Sequence, residues 1–195
     1  MRELQTGLWH WEAPHPDWKP GADWNEVVSS YAIDDGDRLL LIDPLAPPSE
    51  IDELAAGRET AIVLTCLWHA RDAQSLAEWL GAALYAPPPD EGDPSPVEGQ
   101  VYRAGDRLPG GVEALPGMEP NDLVLWIEGR RALVAGDTLI DRGQGLEVPS
   151  DWASEGVTPE QILEALRPLL DLPVEVVLPT HGQPTDRAAL QRALS

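Results

Sequence analysis

Three short stretches of this sequence hold residues that could do chemistry. Ala-Gly-Asp-Thr-Leu (135–139) puts Asp137 at the end of one apolar run, and Leu-Pro-Thr-His-Gly (178–182) puts His181 at the end of another. Leu-Thr-Cys-Leu-Trp-His-Ala-Arg-Asp-Ala (64–73) places Cys66, Trp68, His69, Arg71 and Asp72 after a third. Carboxylates and imidazoles at strand ends are how a sheet presents metal ligands or acid–base groups to a cleft.

The elements that must position these groups can be read from the pattern. Apolar runs at Ser30–Ile33 and Arg38–Ile42 flank Asp34-Asp35-Gly36-Asp37, a hairpin signal. Ser49 is placed to cap a short helix that Gly57 stops. Ala61–Thr65 reads as a buried strand, Ala70–Leu80 as a helix with Ala73, Leu76, Ala77 and Leu80 on one face, and Ala82–Ala86 as a strand. The stretch 61–86 is thus a β-α-β unit, followed by a surface loop over 87–98. Further strands are expected near 101–103 and 112–115, and Asp122–Ile127 and Arg131–Ala135 form a second hairpin. Thr158-Pro159-Glu160-Gln161 is a capping box, and Pro168 should kink or shorten its helix. Val174–Leu178 reads as a buried strand and Asp186–Leu194 as a terminal helix. The Trp- and Pro-rich segment 7–26 suits irregular but packed structure. Two runs of strands, each closed by helices, predict a four-layer αβ/βα sandwich of α/β class in one domain over 1–195.

The bulk composition narrows the function. The chain has 195 residues, a formal net charge of −21 and 43% hydrophobic residues. That is enough for one core. The charge repels phosphate backbones, so nucleic acid is a poor partner. A single cysteine, Cys66, forbids an internal disulfide and fits a reducing cytoplasm. The N-terminus lacks the apolar stretch of a secretory signal, and no run reaches membrane-spanning length.

In order and spacing, five segments resemble the metallo-β-lactamase superfamily over roughly residues 25–185. They are Leu-Leu-Ile-Asp-Pro (40–44), Ile-Val-Leu-Thr (62–65), Leu-Pro-Gly-Met (115–118), Gly136-Asp137 and Pro179-Thr180-His181-Gly182. Two-zinc members carry His-x-His-x-Asp-His after the second segment. Without a gap, Cys66, Trp68, Ala70 and Arg71 replace those ligands. With one inserted residue the positions are Leu67, His69, Arg71 and Asp72. The second alignment is preferred because it keeps a His and a carboxylate, with His69 and Asp72 on one face of the following helix. Met118 stands where the family has its third His, and a thioether is a poor zinc ligand.

The resemblance therefore implies at most one metal site, built from His69, Asp72, Asp137 and His181. It would hold one Zn, Fe or Mn ion with a water position open. The alternative is a metal-free cluster in which the Arg71 guanidinium supplies the positive charge among Asp72 and Asp137. Asp137 and His69 are the candidate catalytic groups, and Trp68, Arg71 and Met118 the candidate substrate-binding ones. His10, His15, Asp141 and Glu147 read as packing or surface residues and Cys66 as core, while 140–157 with Trp152 could form a lid. The implied activity is hydrolysis of an ester, thioester or lactone-type small molecule. The rival is a non-catalytic relative that binds a small ligand or a partner protein. A homo-oligomer is compatible with either.

Overall fold

A computed structural model describes residues 1–195. The first half forms a seven-stranded sheet in sequence order. Its strands are β1 (Arg2–Gln5), β2 (Leu8–Pro14), β3 (Val27–Asp34), β4 (Arg38–Ile42), β5 (Glu59–Val63), β6 (Ala83–Ala86) and β7 (Gln100–Val101). The second half forms a six-stranded sheet ordered β13-β12-β11-β10-β9-β8. These are β8 (Arg107–Leu108), β9 (Val112–Pro116), β10 (Leu123–Ile127), β11 (Ala132–Gly136), β12 (Val176–Pro179) and β13 (Thr185–Asp186).

Period-two alternation sorts the side chains into layers. From β4, Leu40 and Ile42 point inward to meet Leu125, Ile127 and Val134 of the other sheet. Leu39 and Leu41 point outward, where α1 (Glu50–Ala55) and α2 (Ala73–Leu80) cover them. On the far side Val124, Trp126 and Leu133 pack under α3 (Pro159–Leu166) and α4 (Arg187–Ala193). The result is the expected αβ/βα sandwich, with three stacked apolar layers. No helix is long and apolar enough to cross a membrane.

The local signals explain much of this. Asp35-Gly36 turns β3 into β4, with Gly36 at φ 97°. Thr158 accepts from the Gln161 backbone and the Gln161 side chain returns the bond, closing the capping box. That helix ends at Leu166, and a 3-10 turn carries Pro168.

Two expectations change. The N-terminal segment is not irregular throughout: Leu8–Pro14 is a strand paired with β3 along its whole length. The helix after β5 does not start at Ala70. A 3-10 turn spans Leu67–His69, Arg71 takes a left-handed φ of 33°, and α2 begins only at Ala73. That reversal at Arg71 swings the chain away from a continuous helical face.

Candidate metal and catalytic site

The site lies at one edge of the sandwich, where β4, β5, β11 and β12 end. Asp43 follows β4 in a left-handed conformation (φ 48°) and is buried. One carboxylate oxygen accepts from the Thr65 backbone N–H (2.8 Å), the other from the Thr65 hydroxyl (2.6 Å) and the Thr180 hydroxyl (3.3 Å). That second oxygen also lies 3.0 Å from His69 Nδ1. The ends of β4, β5 and β12 are thereby tied to one carboxylate.

Fixing Nδ1 against Asp43 turns the other imidazole nitrogen toward Asp137. His69 Nε2 stands 3.1 Å from Asp137 Oδ1, and His181 Nε2 stands 3.4 Å from the same oxygen. The Cys66 Sγ donates to Asp137 Oδ2 at 3.9 Å, and the ligating atoms of Cys66, His69 and Asp137 all lie within 4.8 Å of one another. Gly136 makes this approach possible. It has φ 55°, and a Cβ there would sit 2.9 Å from the Thr65 side chain.

His69, Asp137 and His181 thus come together. Asp72 does not join them. Its Oδ2 accepts from the Ala46 backbone N–H at 2.7 Å, because the turn at Arg71 puts Asp72 outside any helix shared with His69. Arg71 does reach the cluster, donating from Nη1 to the Asp43 carbonyl at 3.1 Å. The structure therefore gathers His69 from the gapped alignment with Cys66 from the ungapped one, together with Arg71, which both contain. Trp68 turns outward and is 84% exposed. Met118 is half-buried, and its backbone N–H donates to Thr138 Oγ1 at 2.9 Å.

A cleft of about 430 Å³ opens onto Cys66 and Asp137, walled by Trp68, Met118, Trp152 and prolines of the 87–98 loop. The stretch 140–157 supplies Trp152, whose indole donates to Asp23 and lies edge-on to His181 at 5.9 Å. Trp24, from the N-terminal segment, packs edge-on against His181 at 5.5 Å. Two residues carry more of the site than sequence reasoning assigned them. Cys66 had a signal in the ungapped alignment. Asp43 had one in Leu-Leu-Ile-Asp-Pro, though nothing local showed that four donors would converge on it.

The electrostatics are coupled. Burial disfavours charging His69, yet Asp137, Cys66 and Asp43 outweigh it and hold the imidazole well above its ordinary 6.5. Burial would raise Asp137, but the charges on His69, His181 and Arg71 hold it well below the usual carboxylate range. Burial lowers His181 to about 4, pushes the Cys66 thiol up to about 12 and, with the charge of Asp137, raises Asp122 to about 7. Arg71 is lowered from 12.5, again chiefly by burial.

The family profile of the metallo-beta-lactamase superfamily matches residues 66–181, and the chain belongs to that superfamily. Its members are generally metal-dependent hydrolases that bind ions such as zinc or iron. Among solved structures, the chain is similar to TTHA1623 in a di-iron-bound form, at 27% identity and a TM-score of 0.64, covering 85% of this chain and 93% of that one. It is also similar to the metallo-beta-lactamase family protein TTHA1429 from Thermus thermophilus, at 19% identity, TM-score 0.69 and coverage of 98% and 78%. A third likeness is to TMB-1, at 17% identity, TM-score 0.72 and coverage of 99% and 94%. No curated protein sequence matches significantly.

Proposed function

We propose that residues 1–195 form one hydrolase domain that works with a single Zn, Fe or Mn ion on a small ester, thioester or lactone-type substrate. One observation carries this reading. His69 Nε2 and Asp137 Oδ1 are buried 3.1 Å apart without hydrogen-bond geometry, and His181 Nε2 stands 3.4 Å from the same carboxylate oxygen. Buried polar atoms rarely stay unpartnered. With the Cys66 thiol beside them they offer sulfur, imidazole and carboxylate donors, which is a set that zinc or iron accepts. The Asp43–His69 contact also has the carboxylate–histidine arrangement that orients a ligating imidazole. Cys66, His69 and Asp137 offer donor atoms within 4.8 Å of one another, and His181 stands next to Asp137 as the fourth residue of a set that fits one ion.

Such an ion supplies a lowered water pKa and polarises a carbonyl. The remaining work falls to the chain. Asp43 fixes the tautomer and angle of His69. Asp137 faces both imidazoles through Oδ1 and stays ionised, so it serves as the anionic ligand of the set. Trp152, Met118 and Trp68 shape the volume in which the substrate lies. Arg71 balances Asp43 and keeps the carboxylate cluster together.

A second reading keeps the same geometry without an ion. Arg71 and a charged His69 balance Asp43 and Asp137 by themselves, and the cleft binds a ligand without cleaving it. The position of the Arg71 guanidinium supports this alternative. Elemental analysis of the purified protein, paired with ester and thioester hydrolysis before and after chelation, separates the two. A stoichiometric ion whose removal abolishes hydrolysis supports the first, and a metal-free protein without hydrolysis supports the second.

A further inference from the structure

The cleft has a charge that the hydrolytic reading does not use. Asp90, Asp93, Glu119 and Asp122 line it, and no Lys or Arg does. None of these four carboxylates takes part in an ion pair. Asp90 accepts from the Asn121 amide at 2.9 Å, and Glu119 accepts from the Ser154 backbone (2.6 Å) and hydroxyl (2.9 Å). These neutral donors hold Asp90 and Glu119 in place and leave their charge uncompensated.

Asp122 adds an independent observation. It is 5% exposed at the floor of the cleft. Its Oδ2 accepts from the Thr138 hydroxyl at 2.6 Å, while its Oδ1 has no partner. A buried carboxylate oxygen without a donor is a costly feature that a bound donor would relieve. Two indoles flank the same space. Trp68 is 84% exposed. Trp152 is pinned by its bond to Asp23 and by Arg142 stacked at 5.8 Å from its ring. An indole face attracts organic cations, and a negative, low-dielectric cleft concentrates them.

We infer that the cleft binds an organic ammonium group, held between Trp68, Trp152 and the carboxylates around Asp122, so that the substrate carries a positive charge near its scissile bond. The inference names the substrate class of the proposed hydrolase and to that extent rests on that reading. The uncompensated carboxylates would repel a carboxylate-bearing substrate.

The test separates binding from cleavage. Tryptophan fluorescence of the 195-residue protein is titrated with benzylammonium, whose N–H groups can reach a carboxylate oxygen, with its uncharged isostere ethylbenzene, and with benzoate. The ammonium ion should bind saturably and at least about tenfold more tightly than the other two, with affinity falling as salt rises. Trp68→Ala, at an exposed position that leaves the fold intact, should weaken it about two- to fivefold. The pair Asp90→Asn/Asp93→Asn should weaken it further. Glu160→Gln/Glu164→Gln on α3, which keeps most of the net charge of −21 but lies away from the cleft, should not. Equal binding of ethylbenzene would overturn the inference, as would an equal loss in the α3 pair, which would mean attraction by net charge alone. Matched esters of an ammonium alcohol and a neutral alcohol are then offered to the metal-loaded protein. Selective binding with neither ester cleaved would defeat the hydrolase reading and leave the cation site standing.

Discussion

His69 Nε2 lies 3.1 Å from Asp137 Oδ1, and neither atom makes a hydrogen bond there. The opposite edge of the ring is fixed by Asp43 and Thr65, each 3.0 Å from Nδ1. An imidazole clamped on one side and aimed at a carboxylate oxygen without a hydrogen bond on the other is prepared to share a cation with it.

Asp43 is the anchor of that arrangement. Asp43→Ala would strand the Thr65, Thr180 and His69 donors in a buried space, at a cost of about 3–5 kcal/mol. Asp43→Asn, which keeps the shape, should instead lower metal affinity about 10- to 100-fold by loosening His69. Urea unfolding and competitive chelator titration measure the two effects. A metal affinity unchanged in Asp43→Asn would contradict the orienting role.

Arg71 combines a charge with a strained backbone. Arg71→Ala should destabilise by about 1–3 kcal/mol, less than a fully buried pair because the residue is only half-buried. Arg71→Gly loses the same guanidinium but accepts the φ of 33°, so it should be about 1 kcal/mol more stable than Arg71→Ala. Added zinc should raise the melting temperature of both. Equal stability of all three proteins, within about 0.5 kcal/mol, would show that Arg71 balances nothing.

Gly136→Ala introduces a Cβ 2.9 Å from Thr65 and 3.0 Å from Asp122 Oδ1, at φ 55°. The Thr65 and Asp122 side chains are both held by hydrogen bonds and would have to give way, so Asp137 should shift and stability should fall by about 2 kcal/mol or more. Full stability with intact metal binding would refute this steric reading.

His10 gives the acid response. It is buried, with Nε2 2.9 Å from the Ser29 hydroxyl. Burial, only partly offset by Glu12, lowers it from 6.5 to about 4. The unfolded chain takes the proton below 6.5 and the folded chain refuses it, so this stability is present above 6.5 and lost as the pH falls toward 4. His181 shifts in the same direction. His10→Gln should flatten the acid limb of a urea-unfolding series. An identical pH slope in the variant would contradict it.

The fold was legible where local chemistry is decisive. Asp35-Gly36 between apolar runs, the Thr158 capping box and the apolar stretch before Thr65 each specify their element without help from distant residues. The strand Leu8–Pro14 was not legible, because Trp9, Trp11 and Pro14 resemble irregular packing until β3 supplies a partner. At the site, Asp137 and His181 were legible as polar residues ending apolar strands. The misplacement of Asp72 has a backbone cause: nothing local announces that an arginine will adopt a left-handed φ and end the turn. Cys66 looked like core because a lone buried cysteine usually is. Only the approach of Asp137 from the other sheet turns it into a donor, and that is a contact between residues 71 apart.

The most direct measurement is the metal content of the purified chain, by mass spectrometry after growth with added zinc, iron and manganese. One ion per chain is expected, and it should be lost in the Cys66→Ser/His69→Ala double variant while the fold persists by circular dichroism. Two ions held in the cleft, none at all, or one ion retained by that variant would contradict a mononuclear centre built on Cys66, His69, Asp137 and His181.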